Sequence, residues 1–221
     1  MKKDALKMKK NDKAMMRLLS MSDWQQLKCN FSSKKMLEEL KQFDGDWKRY
    51  NPAKLKNNRW GLSVTSLDGG LSGIPDLTSL KEHYDNTGEK VSDRDIIVPT
   101  DVWKKCGEVQ KILDPLKPWV LRTHFLRMDE GSFFPDHYDM LRNEFDHDQI
   151  RLTAFININE YGFKWIYDDK LIKCQNGSLW YFNSHKRHCV FSTQENMIIM
   201  VILLKFDSDL HIHLMKNTKV S

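Results

Sequence analysis

Residues 120–139 read VLRTHFLRMDEGSFFPDHYD, and this stretch decides the fold. Its first part, Val120–Met128, is a β-type run that ends in a polar and glycine turn at Asp129-Glu130-Gly131. Similar runs follow at 151–159, 163–167, 179–182 and 197–206, separated by polar or glycine turns. Short runs at this spacing predict an all-β sandwich or jelly roll. The turn Asn176-Gly177-Ser178 also fits a glycosylation sequon, and a tight turn is the better reading.

Working back from Pro118, the period changes. Residues 102–116 read as a helix with Val102, Cys106, Val109 and Leu113 along one face. Residues 71–100 are turn-rich, which suits loops over a binding site. Residues 60–66 alternate like a strand and stop at Asp68-Gly69-Gly70. The first 48 or so residues look helical, with Met16, Leu19 and Trp24, then Met36, Leu37 and Leu40, at helical spacings. Ser32-Ser33 can cap the second helix and Asp44-Gly45-Asp46 can end it. The expected organisation is mainly β with flanking helices. Residues 1–50 form an N-terminal helical extension packed on the core, and 51–221 form the β domain.

The chain has 221 residues, 40% of them hydrophobic and 29% charged, which describes one soluble globular domain. The net charge of +5 is mild and concentrated in an early lysine-rich run, best read as a solvated amphipathic helix. Cys29, Cys106, Cys174 and Cys189 form no C-x-x-C pair, which argues against structural zinc and a disulfide framework and for a reducing, cytoplasmic setting. No secretory signal is visible, and the apolar run 197–204 is too short to span a bilayer.

The chemistry concentrates at His137-Tyr138-Asp139 and His188. In an extended segment residues two apart project to one side, so His137 and Asp139 can converge on one ion. A third ligand must come from a neighbouring strand, and His188 opens a β-type run after the bend 184–187. His185 competes but lies within the bend, and the second H-x-D, His83-Tyr84-Asp85, sits in a polar stretch that reads as a solvated turn. Two imidazoles and a carboxylate can cover one face of a six-coordinate Fe(II) and leave the other open. Zinc takes the same ligands, but no H-E-x-x-H or general-base glutamate accompanies them.

On these residues the chain resembles the non-haem Fe(II)/2-oxoglutarate-dependent oxygenases, most of all the aspartyl/asparaginyl β-hydroxylase-like and prolyl-hydroxylase-like groups. The carriers are 121–128, 131–135 leading to His137-Tyr138-Asp139, 151–155, and 177–190. The resemblance covers less than half of the chain. It implies a double-stranded β-helix, metal ligands His137, Asp139 and His188, and Fe(II), 2-oxoglutarate and dioxygen. It also implies hydroxylation of an amino-acid side chain, free or in a polypeptide, or of another small molecule. The family's usual cation for the far carboxylate of 2-oxoglutarate lies on the strand after the second histidine. Here that place is Ile198, and no arginine follows His188. Some relatives use the strand after H-x-D, which points to Arg151, with Arg122 and Lys164 behind it and a hydroxyl contact from Ser192 or Thr193. Nucleic-acid demethylases of the superfamily carry arginines in the missing place, so a nucleic-acid substrate is disfavoured. The competing reading is a catalytically inert jelly-roll or cupin-like binding protein.

Overall fold

Period-two alternation sorts the long strands' side chains into two separate cores. Along 149–157, Ile150, Leu152, Ala154 and Ile156 enter one cluster and Phe155 enters the other. Along 197–205, Ile198, Met200, Ile202 and Leu204 go to the first, and Met197 and Ile199 to the second. A strand buried on both faces reads as a nearly continuous apolar run.

The computed structural model describes residues 16–17, 20–50, 58–71, 83–139 and 149–219. Its strands are β1 (Trp24–Leu27), β2 (Lys48–Arg49), β3 (Arg59–Ser63), β4 (Thr65–Ser66), β5 (Val98–Pro99), β6 (Val120–Met128) and β7 (Phe133–His137). They continue with β8 (Gln149–Asn157), β9 (Phe163–Tyr167), β10 (Lys170–Ile172), β11 (Ser178–Phe182), β12 (His188–Ser192) and β13 (Met197–Lys205). The helices are α1 (Ser33–Leu40), α2 (Asp101–Lys105), α3 (Gly107–Leu113) and α4 (Ser208–Lys216).

A seven-stranded sheet runs in the order β1-β11-β8-β13-β6-β3-β2, and a four-stranded sheet in the order β10-β9-β12-β7. All of their pairings are antiparallel. The inner core joins the two sheets: Leu126, Phe155, Phe182 and Ile199 from the larger meet Phe163, Trp165, Tyr167 and Val190 from the smaller. Two facing sheets with this interleaved strand order form a double-stranded β-helix. The outer core lies on the other face of the larger sheet, beneath Met36 and Leu40 of α1, Val109 and Leu113 of α3, and Leu210 and Leu214 of α4.

The helices start where side chains can accept from orphan backbone N–H groups. Ser32 accepts from Lys35 N, Thr100 from Val102 N, and Asp207 from Asp209 N and Leu210 N. Glu108 in α3 is fully buried and accepts from Ser32 N at 2.7 Å and Lys111 Nζ at 2.8 Å, which ties α1 to α3.

Two local expectations change. Trp24–Leu27 is a strand rather than helix, paired residue for residue with β11 from Trp24↔Phe182 to Leu27↔Leu179. Four residues carry too little periodicity to outweigh an open sheet edge that supplies their hydrogen bonds. The helix at 102–116 breaks at Cys106 (φ −94°, ψ 106°), and the segment Asp114–Trp119 tightens to 3-10 geometry around Pro115 and Pro118. The Met16–Leu19 part of the helical expectation lies largely outside the described residues.

Candidate metal centre

Strands β7 and β12 are neighbours, and their register sets His188 directly across from His137. The turn into β7 has Gly131 at φ +77°, a conformation that favours glycine, and its N–H donates to Ser192 O at 2.9 Å. That bond ties the start of β7 to the far end of β12. Beyond His137 the chain bends so that Asp139 N donates to Ser184 O at 2.9 Å, which brings Asp139 back toward β12.

The three side chains His137, Asp139 and His188 meet. Their ligand atoms all lie within 4.8 Å of one another. His137 Nε2 is 3.7 Å from Asp139 Oδ1, and His188 Nε2 is 3.9 Å from Asp139 Oδ2. Each imidazole is anchored through its other nitrogen: His137 Nδ1 to Pro135 O at 2.6 Å and His188 Nδ1 to Lys186 O at 2.9 Å. A carbonyl can only accept, so Nδ1 carries the proton in both rings and each Nε2 lone pair faces the cluster. Trp165 stacks over His188 with ring centroids 6.2 Å apart and restricts its tilt.

The charges suit a cation. Burial would push the Asp139 carboxyl up, but the Arg151 guanidinium and the two imidazoles outweigh it and hold Asp139 below the usual carboxylate range. Arg151 Nη1 donates to Asp139 Oδ2. Burial lowers the His188 pKa and favours the neutral, ligating form. Donors bound at about 2.1 Å in cis positions sit about 3 Å apart, so these atoms need to close by about 1 Å. Two imidazoles and a carboxylate on one side of an open cavity fit an iron(II) facial set.

That cavity, of about 220 Å³, opens between the two sheets beside the cluster. Arg122, His124 and Leu126 line it from β6, Arg151 and Thr153 from β8, and Ile199, Val201 and Leu203 from β13. Tyr50, Phe134, Trp165, Phe182 and Val190 complete mainly apolar walls. Arg122 is an ion-pair partner of Asp93, with Nε 3.0 Å from Oδ1. Ile198 points into the outer core, while its neighbours Ile199 and Val201 face the cavity. The stretch of β13 where the family's usual cation would stand is therefore apolar on its cavity side.

Other sequence candidates lie elsewhere. Ser192 is buried at the far end of β12, donates to Gln194 O at 2.9 Å, and is not among the cavity-lining residues. Lys164 donates to Glu160 O at 2.8 Å on the surface. His83 sits 3.3 Å from Glu89 Oε2 and joins no group of three metal-type ligands among the described residues. His185 stays in the bend outside the cluster. Of the stretch 140–149, which the sequence reads equally as a cover over the substrate or as a charged surface loop, residues 140–148 lie outside the described residues and Gln149 opens β8. Sequence reading missed His124, Thr153, Tyr50, Phe134 and Trp165 as cavity residues. Their inward direction becomes visible only once the register is known.

No family model matches the chain, and no curated protein matches it. Solved structures do. A prolyl-4-hydroxylase from Pseudomonas putida aligns over 88% of this chain and 99% of its own at 12% identity, with a TM-score of 0.49. A viral collagen prolyl hydroxylase from Paramecium Bursaria Chlorella virus-1, solved with 2-oxoglutarate, aligns over 84% and 97% at 10% identity, TM-score 0.44. An oxidoreductase of the 2OG-Fe(II) oxygenase family from Burkholderia pseudomallei aligns over 76% and 78% at 12% identity, TM-score 0.40. The fold assignment rests on the strand order, and the site on the geometry above.

Proposed function

We propose that this chain is an Fe(II)- and 2-oxoglutarate-dependent dioxygenase that hydroxylates an amino-acid side chain, free or in a polypeptide, or another small molecule. The observation that carries this reading is the convergence of His137, Asp139 and His188 at the edge of a small cavity that also holds Arg151. Bound Fe(II), with 2-oxoglutarate and dioxygen, supplies the oxidising chemistry that a protein side chain cannot.

The chain's own residues bind, orient and exclude. His137 and His188 present neutral Nε2 atoms whose direction is set by backbone carbonyls. Arg151 orients Asp139 and adds a positive charge where a dicarboxylate needs one. Phe134, Trp165, Phe182 and Val190 keep the reaction space apolar and short of water. A cavity of about 220 Å³ is smaller than the roughly 300–1,000 Å³ typical of drug-sized ligands, so it suits one small co-substrate and the tip of a target group.

No helix among the described residues is long and apolar enough to cross a membrane. All four cysteines are unpaired, which fits a reducing compartment such as the cytoplasm.

The test is Fe(II)-dependent conversion of 2-oxoglutarate to succinate. His137→Ala and Asp139→Ala are expected to abolish it while the circular-dichroism melt is retained. Iron binding that is unchanged in both variants overturns the assignment.

A further inference from the structure

Two of the three clustered side chains take their setting from one short bend, residues 183–187, between β11 and β12. Asp139 N donates to Ser184 O at 2.9 Å, and His188 Nδ1 donates to Lys186 O at 2.9 Å. A small rotation of the bend's peptide units would therefore move the Asp139 carboxylate and the His188 imidazole together. Whatever holds the bend still also holds the cluster.

The bend is pinned at both ends. Asn183 N donates to Asp23 O at 2.8 Å, just before β1, and Asn183 Oδ1 accepts from His185 N at 3.2 Å. Asn183 O accepts from Lys186 N at 3.1 Å and from the Tyr167 hydroxyl at 2.9 Å. At the other end, Arg187 O accepts from Asp168 N at 2.9 Å. The charged ties lie at the surface: Lys186 Nζ meets Asp23 Oδ2 at 2.7 Å and Asp168 Oδ2 at 3.4 Å, and Arg187 meets Asp136. These side chains are between 38% and 69% exposed, so water competes for them and each pair contributes little.

Tyr167 differs from these surface pairs. It is fully buried on β9, opposite His188 in register. Trp24 packs edge-on against its ring at 5.6 Å and Phe182 lies tilted at 6.2 Å, so the inner core fixes where the ring stands. Any buried phenol needs an acceptor, and many carbonyls would serve. This one opens the bend, one residue before the Ser184 carbonyl and three before that of Lys186. Tyr167 is not among the cavity-lining residues, so its effect passes through the bend. We infer that Tyr167 is a positioning residue for the metal centre: its hydroxyl holds the 183–187 bend and, through it, Asp139 and His188. The inference rests on the proposed function and adds a residue that acts through the backbone.

The test compares Tyr167→Phe with Tyr181→Phe in the full chain. Tyr181 is 1% exposed, on β11, and belongs to the outer core, so its variant reports the general cost of losing a buried hydroxyl. Co(II) is the probe, because it takes the same kinds of donor and its visible bands report ligand geometry. Titrations are run well below the melting temperature of each variant. Loss of the hydrogen bond predicts that Tyr167→Phe weakens Co(II) binding about five- to tenfold. It should also change the intensity of the visible bands, while Tyr181→Phe does neither. In a second measurement, 3-fluorotyrosine at position 167 keeps the hydroxyl, and its 19F resonance should move when Zn(II) is added. The same label at position 181 should not respond. This measurement stands even if Tyr167→Phe fails to fold. Wild-type affinity and spectrum in Tyr167→Phe, an equal loss in Tyr181→Phe, or an unmoved 19F resonance at position 167 overturns the positioning role and leaves the oxygenase reading intact. If the wild type binds no Co(II), the metal reading itself falls, and the positioning role with it.

Discussion

Arg151 is the residue on which most of the site's electrostatics turn, because it faces both Asp139 and the cavity. Removing one partner of this part-buried, hydrogen-bonded charge pair leaves the other partly desolvated and uncompensated. Arg151→Ala is therefore expected to raise the 2-oxoglutarate requirement about tenfold or more and to weaken iron binding, read by co-substrate titration and metal competition. An unchanged requirement would move the cation's role to Arg122, which already pairs with Asp93. His124 yields a pH prediction with a definite sign. Its folded pKa lies well below the ordinary imidazole value, first because of burial and then because of Arg122 and Arg151. The unfolded chain therefore binds more protons below that value, so stability is complete above it and is lost as pH falls toward the folded pKa. Thermal melts of the metal-free protein between pH 7.5 and about 5 should show this loss, and His124→Phe should flatten it. An identical slope in the variant would show that other groups carry the acid sensitivity. At this scale the H-x-D spacing drew attention to His137 and Asp139, but β7 ends at His137 and it is the bend beyond it, held by Asp139 N donating to Ser184 O, that brings the carboxylate to the two imidazoles. His124 and Thr153 drew none, because β6 and β8 bury both faces and hydropathy does not distinguish cavity from core.

Among the elements, legibility followed burial and length. Val120–Met128 and Phe163–Tyr167 keep the bounds read from sequence, and the strands at 149–157, 178–182 and 197–205 shift by at most two residues. Each has strong β-type composition and a turn signal at its ends, such as Gly177 at φ +76° before β11. β1 is four residues long, Trp-Gln-Gln-Leu, and only its pairing with β11 makes it a strand. The broken helix at Cys106 shows a related limit. Val102, Cys106, Val109 and Leu113 are all fully buried as the apolar face requires, yet the backbone leaves the helical region between them. Periodicity reports which side chains go inward, and the helix interruption costs little while those contacts survive. The same logic explains Ser192, whose hydroxyl suits an anion site by type but serves its own turn through Gln194. Which end of a strand faces the His137, Asp139 and His188 cluster is a property of the sheet rather than of the strand.

At the level of the whole molecule, the two cores divide labour: the inner one shapes the cavity and the outer one holds the larger sheet flat against its helices. The N-terminal segment belongs to this second core. Leu27, Phe31, Met36, Leu40, Phe43 and Trp47 are each at most 9% exposed and pack with Leu152, Ala154 and Met200 on the sheet. β1 also covers the β11 edge, and Leu27 bridges to Thr218 near the other end of the chain. Across the described residues, the segment 20–50 and the larger sheet share one core. Burial of those six side chains contributes on the order of 10 kcal/mol, comparable with the roughly 5–15 kcal/mol that holds an entire domain together. A chain starting at residue 51 is therefore expected to lack a cooperative melt and to aggregate through the uncovered β11 edge and sheet face. A chain starting at residue 20, which retains β1 and α1, should melt cooperatively and bind iron as the full chain does. Differential scanning calorimetry on the two fragments decides the matter. A cooperative, iron-binding 51–221 fragment would show that the first 50 residues are an appendage and that the outer core is dispensable to the site.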